Sequence, residues 1–258
     1  MLVLLPPSEG KVAPRRGKPL DPDALSFPAL ADPRAEVLDA LVTLCTDDPA
    51  KAAATLDVPP TRLDLVGLNA RLRTAPTARA AQVYAGVLYE ALGLATLSSA
   101  AKRRAGTRLA VTSSLFGLVT PGDRIPAYRL SGDATLPVVG SVAGLWRRHL
   151  GSAVTEAVGD GLLVDLRSST YAAFWRPPAG LARRVATVRV LHEVAGRRQV
   201  VSHFNKATKG RIVRALLEAN ANPRTPARLA DALRDLGWVV EVEPDRAGTR
   251  LDVVVAEL

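Results

Sequence analysis

Cysteine is all but missing from this chain: Cys45 is alone in 258 residues. One thiol closes no internal disulfide, so a reducing, cytoplasmic setting is expected. Histidine is nearly as scarce, with only His149, His192 and His203, far apart. That set has no zinc or iron–sulfur spacing. No metal or other cofactor is expected, although a carboxylate-bound magnesium ion stays open. No apolar run approaches the roughly 18–20 residues of a membrane span, so no membrane association is expected. The opening Met1-Leu-Val-Leu-Leu5 meets Pro6-Pro7 at once and lacks a basic flank, so it reads as a strand rather than an export signal. Internal repeats, low-complexity tracts and clean linkers are also lacking, which suggests one domain over residues 1–258, expected to be a monomer. There is no G-x-S-x-G elbow and no recognisable triad spacing.

What the chain does have is a core-forming composition, 48% hydrophobic, and a net charge of +9. The charge is uneven. Between Gly161 and Ala230 there are thirteen Lys or Arg against three acids, Asp165, Glu193 and Glu218, whereas the remainder holds twenty-one bases and twenty-two acids. Such a surplus suits a polyanionic partner, or else a solvated arginine-rich face. Arginine outnumbers lysine 28 to 6, which makes the lysines worth locating: Lys11, Lys18, Lys51, Lys102, Lys206 and Lys209.

Residues 1–5 predict a buried strand, followed by a long loop with seven prolines from Pro6 to Pro33. Arg34 to Ala105 predicts helices, broken near Asp47-Asp48-Pro49, Val58-Pro59-Pro60 and Thr74-Ala75-Pro76, with Asp48 as an N-cap. A strand is expected at Arg108–Thr112. A helix is expected over Ser141–Val158, burying Leu145, Trp146, Leu150, Val154 and Val158. Leu162–Leu166 predicts another strand. Val185–Val194 and Arg198–Phe204 predict a hairpin about Ala195-Gly196-Arg197. Helices from about Lys206 to Ala219 and from Thr225-Pro226 to Gly237 precede closing strands at Trp238–Val242 and Arg250–Val255. The expected class is α/β (α+β): a mixed sheet flanked by helices, with a helical N-terminal half.

Several constellations could carry chemistry. Pro6-Pro-Ser-Glu-Gly-Lys11 puts a glycine and a lysine at a strand's C-terminal end, where ligands of open α/β sheets gather. It is not a Walker A loop, and a solvated lysine on a Pro-rich turn is the plain alternative. Asn205-Lys-Ala-Thr-Lys-Gly-Arg-Ile-Val-Arg214 puts Lys206 and Lys209 on the azimuth of Val213, Leu216 and Leu217, at an expected helix N-terminus. Lysines there oppose the helix dipole, a conflict that a bound anion would remove; snorkelling is the alternative. Gly210 would allow close approach of backbone or ligand. In Ser113-Ser-Leu-Phe-Gly-Leu-Val-Thr-Pro-Gly-Asp-Arg-Ile-Pro-Ala-Tyr-Arg-Leu130, Gly117, Pro121 and Gly122 shape a turn carrying Asp123, Arg124, Tyr128 and Arg129, with a pair between Asp123 and an arginine as the structural alternative. Tyr84, in Val83-Tyr-Ala-Gly86, could stack on a base or fill a gap.

Taken in order, these segments resemble the YaaA family of bacterial peroxide-stress proteins. The resemblance spans nearly the whole chain: Leu2 to Lys11, Tyr84-x-Gly86, the block from Ser113 to Leu130, Leu166-x-Ser168…Tyr171, and Lys206-x-x-Lys209-Gly-x-x-x-Arg214. It implies a single α/β fold with a positively charged cleft, a helix-hairpin-helix element, duplex or branched DNA as ligand, and a role in peroxide stress. Carried over, Lys11, Lys206, Lys209, Gly210 and Arg214 would line the cleft, with Tyr84, Asp123, Tyr128 and Arg129 nearby; Arg211 adds charge on the same helix. The candidate hairpin, Leu56–Leu63, lacks the usual glycine. Thr170 and Ala173 stand where relatives tend to carry an acid and a lysine. The expected function is DNA binding in the peroxide stress response. The alternative is an enzyme acting on a nucleotide or nucleic-acid base, its candidate reactive groups being Lys206 beside Lys209, or Lys11. A phosphate-bearing small molecule is the alternative partner.

Overall fold

Strand β1 (Leu2–Leu5) is buried at every position. The Pro-rich loop that follows makes short 3-10 turns at Pro22–Ala24 and Pro28–Leu30 before helix α1 (Ala31–Asp47). In α1 the buried Val37, Leu38, Leu41, Leu44 and Cys45 recur at helical spacing and form one stripe against the core. Helix α2 (Pro49–Thr55) starts as its sequence predicts, with the Asp48 carboxylate accepting from the Lys51 N–H at 2.9 Å. It is followed by α3 (Asp64–Ala70), the short strand β2 (Ala78–Arg79), and helices α4 (Ala80–Val83), α5 (Val87–Leu92) and α6 (Ser99–Arg108). Strands β3 (Leu109–Ser113), β4 (Gly117–Val119), β5 (Arg124–Ile125), β6 (Thr135–Leu136) and β7 (Gly140–Ser141) lead to α7 (Val142–Val158). The chain continues through β8 (Leu163–Asp165), α8 (Ser169–Ala172), β9 (Val185–Val194), β10 (Arg197–Gln199), α9 (Ser202–Glu218), α10 (Pro226–Asp235), β11 (Val239–Asp245) and β12 (Gly248–Val255). The computed structural model describes residues 1–194, 197–245 and 248–255.

The principal sheet runs in the order β11-β12-β9-β8-β1-β3-β4, with β10 pairing β9 as well. Its centre is parallel: β12 with β9, β9 with β8, β8 with β1, and β1 with β3. The edge strands β11 and β4 run antiparallel to their neighbours. This is the mixed sheet with flanking helices that the alternation of helices and hairpins suggests. Strands buried on both faces carry the unbroken apolar runs Leu2–Leu5 and Leu162–Val164. On α7 the five residues expected to be buried are all below a tenth exposed, and Trp146 is fully enclosed.

The order of strands defines a position. The chain leaves β1 toward β3 on one side, then returns to β8 on the other side of β1 and continues away to β9. Between β1 and β8 the direction of winding reverses, and the C-terminal ends of those two strands diverge into a crevice, the usual ligand position in open α/β sheets.

The expected hairpin is corrected in one arm. Arg197, Arg198 and Gln199 pair with Val194, Glu193 and His192, but β10 ends there and α9 begins at Ser202. The apolar alternation through Phe204 that suggested a strand is shared by a helical pattern, because Phe204, Thr208 and Ile212 also stand four apart. The turn residues Ala195 and Gly196 lie outside the described residues.

Candidate ligand-binding cleft

The crevice at the reversal is a cleft of about 520 Å³. Pro6–Gly10 after β1 form one wall, Leu166–Ser169 after β8 another, and the turn into α5 with Tyr89 a third. From α9, Asn205, Lys206 and Lys209 complete the lining. A second lobe of about 360 Å³ shares the Glu9–Gly10 wall and is lined by Lys11, Tyr128 and Arg129, by Asp57–Pro59 and Arg62, and by Leu65 and Leu68.

The turn that divides the lobes is internally bonded. Ser8 Oγ donates to the Gly10 carbonyl at 2.5 Å and accepts from the Ala85 N–H at 3.1 Å. Lys11 bridges to Tyr84 through its backbone, and its Nζ donates to the Ser8 carbonyl at 2.8 Å. The ammonium lies 4.2 Å from the Tyr128 ring centroid and 5.9 Å from that of Tyr84, a cation–π contact. Burial lowers the Lys11 pKa to about 8; nearby Glu9 opposes the shift and Arg129 adds to it. Glu9 is bonded instead to Arg129 Nη1 at 2.6 Å.

All four tyrosines of the chain gather around this cleft. Tyr84 and Tyr128 join through their hydroxyls at 3.1 Å, and Tyr128 continues to Ser113 Oγ at 2.8 Å. Tyr89 stacks on Tyr84 with centroids 5.5 Å apart and donates to the Pro6 carbonyl at 2.7 Å. Tyr171 lines the larger lobe. Burial raises the pKa of each of these phenols, so they stay protonated.

On the opposite wall, Asp165 and Arg167 form a buried two-point ion pair at 2.9 and 2.7 Å. Arg167 also donates to the carbonyls of Tyr171 and Trp175, which fixes the turn after β8. Lys209 Nζ donates to the Leu166 carbonyl at 3.3 Å, and burial lowers its pKa against the pull of Asp165.

The candidate residues therefore separate. Lys206 and Lys209 reach the larger lobe, and Lys11, Tyr128 and Arg129 the smaller. The dipole conflict expected for the two lysines is not present: α9 starts at Ser202, which puts both beyond the first turn, where the dipole has faded. Lys206 is exposed at the rim and only Lys209 continues the buried stripe. Gly210 faces α5, not the cleft. A Cβ there would meet the Leu88 carbonyl at 2.3 Å, so the glycine lets two helices touch. Arg214 is likewise spent on α5, donating to the carbonyls of Leu92 and Gly93 and to Thr96 at its C-terminal end. Arg211 is exposed and outside the lining of both lobes. Tyr84 is buried behind the wall and stacked on Tyr89, so its ring is not open to a base.

Three loop residues expected to shape the cleft act elsewhere. Gly117, at φ 70°, sits against the Trp146 ring. The Pro121 carbonyl accepts from Ala81 N–H at 3.1 Å. Asp123 is buried and accepts from Ser26 and from the Thr120 N–H rather than from an arginine. With Arg34, which donates to the carbonyls of Phe116, Ser26 and Leu118, it pins the first loop to β4.

The basic stretch is also less concentrated in space than in sequence. Arg189 pairs with Asp252, and Arg198 with Glu193 and Glu241. Arg184 donates to the carbonyls of Gly159 and Gly161. Asp252 and Glu241 belong to β12 and β11, outside the Gly161–Ala230 window.

Fold and site together define the class: an α/β protein with a two-lobed cleft at the reversal point of its sheet, furnished with lysines and buried tyrosines. The profile of the family described as peroxide stress protein YaaA matches residues 1–243, and the chain belongs to that family. It is 51% identical to a UPF0246 protein of Streptomyces coelicolor over the full length of both chains. It is 40% identical to a UPF0246 protein of Corynebacterium efficiens over 98% of this chain and all of that one. A UPF0246 protein of Shewanella loihica is 29% identical over 78% of this chain and 80% of its own length. The family name supports a role in the peroxide stress response. Among the described residues no helix is long and apolar enough to cross a membrane, and no group of three or more His, Cys, Asp or Glu could hold a metal ion.

The polar residues that sequence reading missed are mainly Tyr89, Asp165 and Arg167. Their signal was position: Asp165 ends a buried strand, and Arg167 lies in the turn beyond it.

Proposed function

We propose that this peroxide-stress protein binds DNA, working in the cytoplasm as a monomer, with one stretch of the nucleic-acid chain seated in the two-lobed cleft. The observation that carries the reading is the cleft's position and furnishing: Lys206 and Lys209 on one side, Lys11 and Arg129 on the other, at the end of the sheet where phosphate-bearing ligands collect. Lys206, exposed at the rim, is suited to a backbone phosphate. The buried lysines are suited to a group that enters. The lobes are of a size for a nucleotide unit rather than a duplex, which favours branched, gapped or locally opened DNA.

The segment Leu56–Leu63 would serve as the hairpin of a helix-hairpin-helix grip. It joins α2 to α3 and lines the smaller lobe with Asp57–Pro59 and Arg62. Asp57 takes the left-handed conformation, φ 48°, that a glycine would take there. The N–H groups of Asp57 and Val58 bond back to Ala54 and Ala53, closing α2 as a glycine-terminated helix is closed.

Fluorescence anisotropy with labelled duplex, gapped and branched DNA tests the proposal. Binding that favours opened DNA, and that weakens steeply as salt rises, is expected. No binding at low salt, or binding indifferent to salt, would overturn it.

A further inference from the structure

We propose that Lys11 is a carbonyl-capturing amine that forms an imine with an aldehyde-bearing sugar, the group left where peroxide chemistry has stripped or broken a nucleotide. The proposal rests on the nucleic-acid reading for the source of that sugar.

Position comes first. Lys11 lies in the wall of the smaller lobe, about 360 Å³ in volume and of a size for a sugar with its phosphates. Val58, Leu65 and Leu68 supply apolar surface there; Arg62, paired with Asp64, and Arg129, paired with Glu9, are the cations that a flanking phosphate would have to draw from those carboxylates. Among the described residues no carboxylate pairs with the amine. Glu9, two residues away, is drawn off by Arg129. The bond that Lys11 Nζ makes is to a neutral carbonyl, and its neighbours on the ring side are phenols that burial keeps protonated. Burial without a paired carboxylate favours the neutral amine, against the cation–π contact and the bond to the carbonyl, which favour the ammonium. With a pKa of about 8, roughly a tenth of the molecules carry the free base at pH 7, against about one in 3,000 for an ordinary lysine. Lys206, the exposed lysine of the larger lobe, lacks this enclosure.

The step balances without any oxidant or reductant. The neutral Nζ adds to the carbonyl carbon, a proton passes from nitrogen to oxygen, and the carbinolamine loses water to leave a carbon–nitrogen double bond. Borohydride added from outside then delivers hydride to that carbon and fixes the link as a secondary amine.

The experiment incubates the full chain with an abasic-site oligonucleotide, or separately with 2-deoxyribose 5-phosphate, in the presence of borohydride. Adducts are quantified and mapped by peptide mass spectrometry, and oligonucleotide binding is followed in parallel by anisotropy. The expected result is an adduct at Lys11, at least tenfold reduced in Lys11→Arg and unchanged in Lys102→Ala, a lysine on α6 outside the lining of both lobes. Lys11→Arg keeps the charge, and its thermal melting shows whether the fold is kept. Trapping should rise with pH toward a plateau above about pH 8. Binding of the oligonucleotide without any adduct, or an adduct at another lysine, overturns the imine and leaves the DNA reading standing. Capture of the sugar phosphate at Lys11 without DNA binding upholds the imine and removes the DNA reading.

Discussion

Glu9 bonds to Arg129 at 2.6 Å, and Lys11, two residues along the same turn, donates only to the Ser8 carbonyl among the described groups. The turn thus spends its carboxylate on one cation and leaves the other enclosed and unpaired. The folded state holds the Lys11 pKa near 8, below its ordinary 10.5. Between those values the unfolded chain binds more protons, so stability rises with pH across that window. In Lys11→Met that contribution is removed. The variant should be the more stable protein at pH 7, by at most about 3 kcal/mol, and its advantage should shrink as pH approaches 10. Urea unfolding of both proteins through this range checks it, and parallel curves would contradict it.

Gly210→Ala should destabilise the protein by about 1–3 kcal/mol, because the added methyl collides with the backbone of α5 rather than with a flexible side chain. Thermal unfolding reads the loss, and an unchanged melting temperature would mean that α5 and α9 can separate at no cost.

Removing one member of the buried Asp165–Arg167 pair should be severe. Asp165→Asn leaves a buried guanidinium without its counter-charge and should cost about 3–5 kcal/mol in denaturant unfolding. The turn that carries Ser168 and Tyr171 into the cleft should loosen with it, seen as faster amide exchange in Leu166–Tyr171.

Asp57→Gly should stabilise the chain by up to about 1 kcal/mol, since glycine takes the left-handed conformation without the side-chain clash that aspartate bears. Chemical denaturation measures it. A destabilised variant would show that the Asp57 side chain has a bonding role that outweighs its strain.

Much of the fold was legible because its signals are local. Asp48, Ser141 and Thr225 announce helix starts, and the stripe on α7 needs only one helix to be recognised. The cleft was legible in part: Lys11 follows the end of a strand, and the rule for open sheets points there, whereas Lys209 stands out in the sequence through a dipole conflict that α9, starting at Ser202, does not have. What failed depends on partners remote in sequence. Arg214 reads as a phosphate ligand until the end of α5 is brought to it. Asp123 reads as a loop charge until Ser26 is bonded to it. The surplus of Gly161–Ala230 reads as one footprint until β11 and β12 bring Glu241 and Asp252 against it.

The central claim is that the lysine-bearing cleft at the strand reversal receives a phosphate-bearing chain. Lys206 tests it most directly, because it is exposed at the rim and its reversal in sign should leave the fold intact. Affinity for opened DNA should be measured for the natural protein and for Lys206→Glu at about 50 and about 200 mM salt. The account predicts at least a tenfold weaker complex for the variant at the lower salt, with a shallower salt dependence. Equal affinity and equal salt dependence of the two proteins would contradict it.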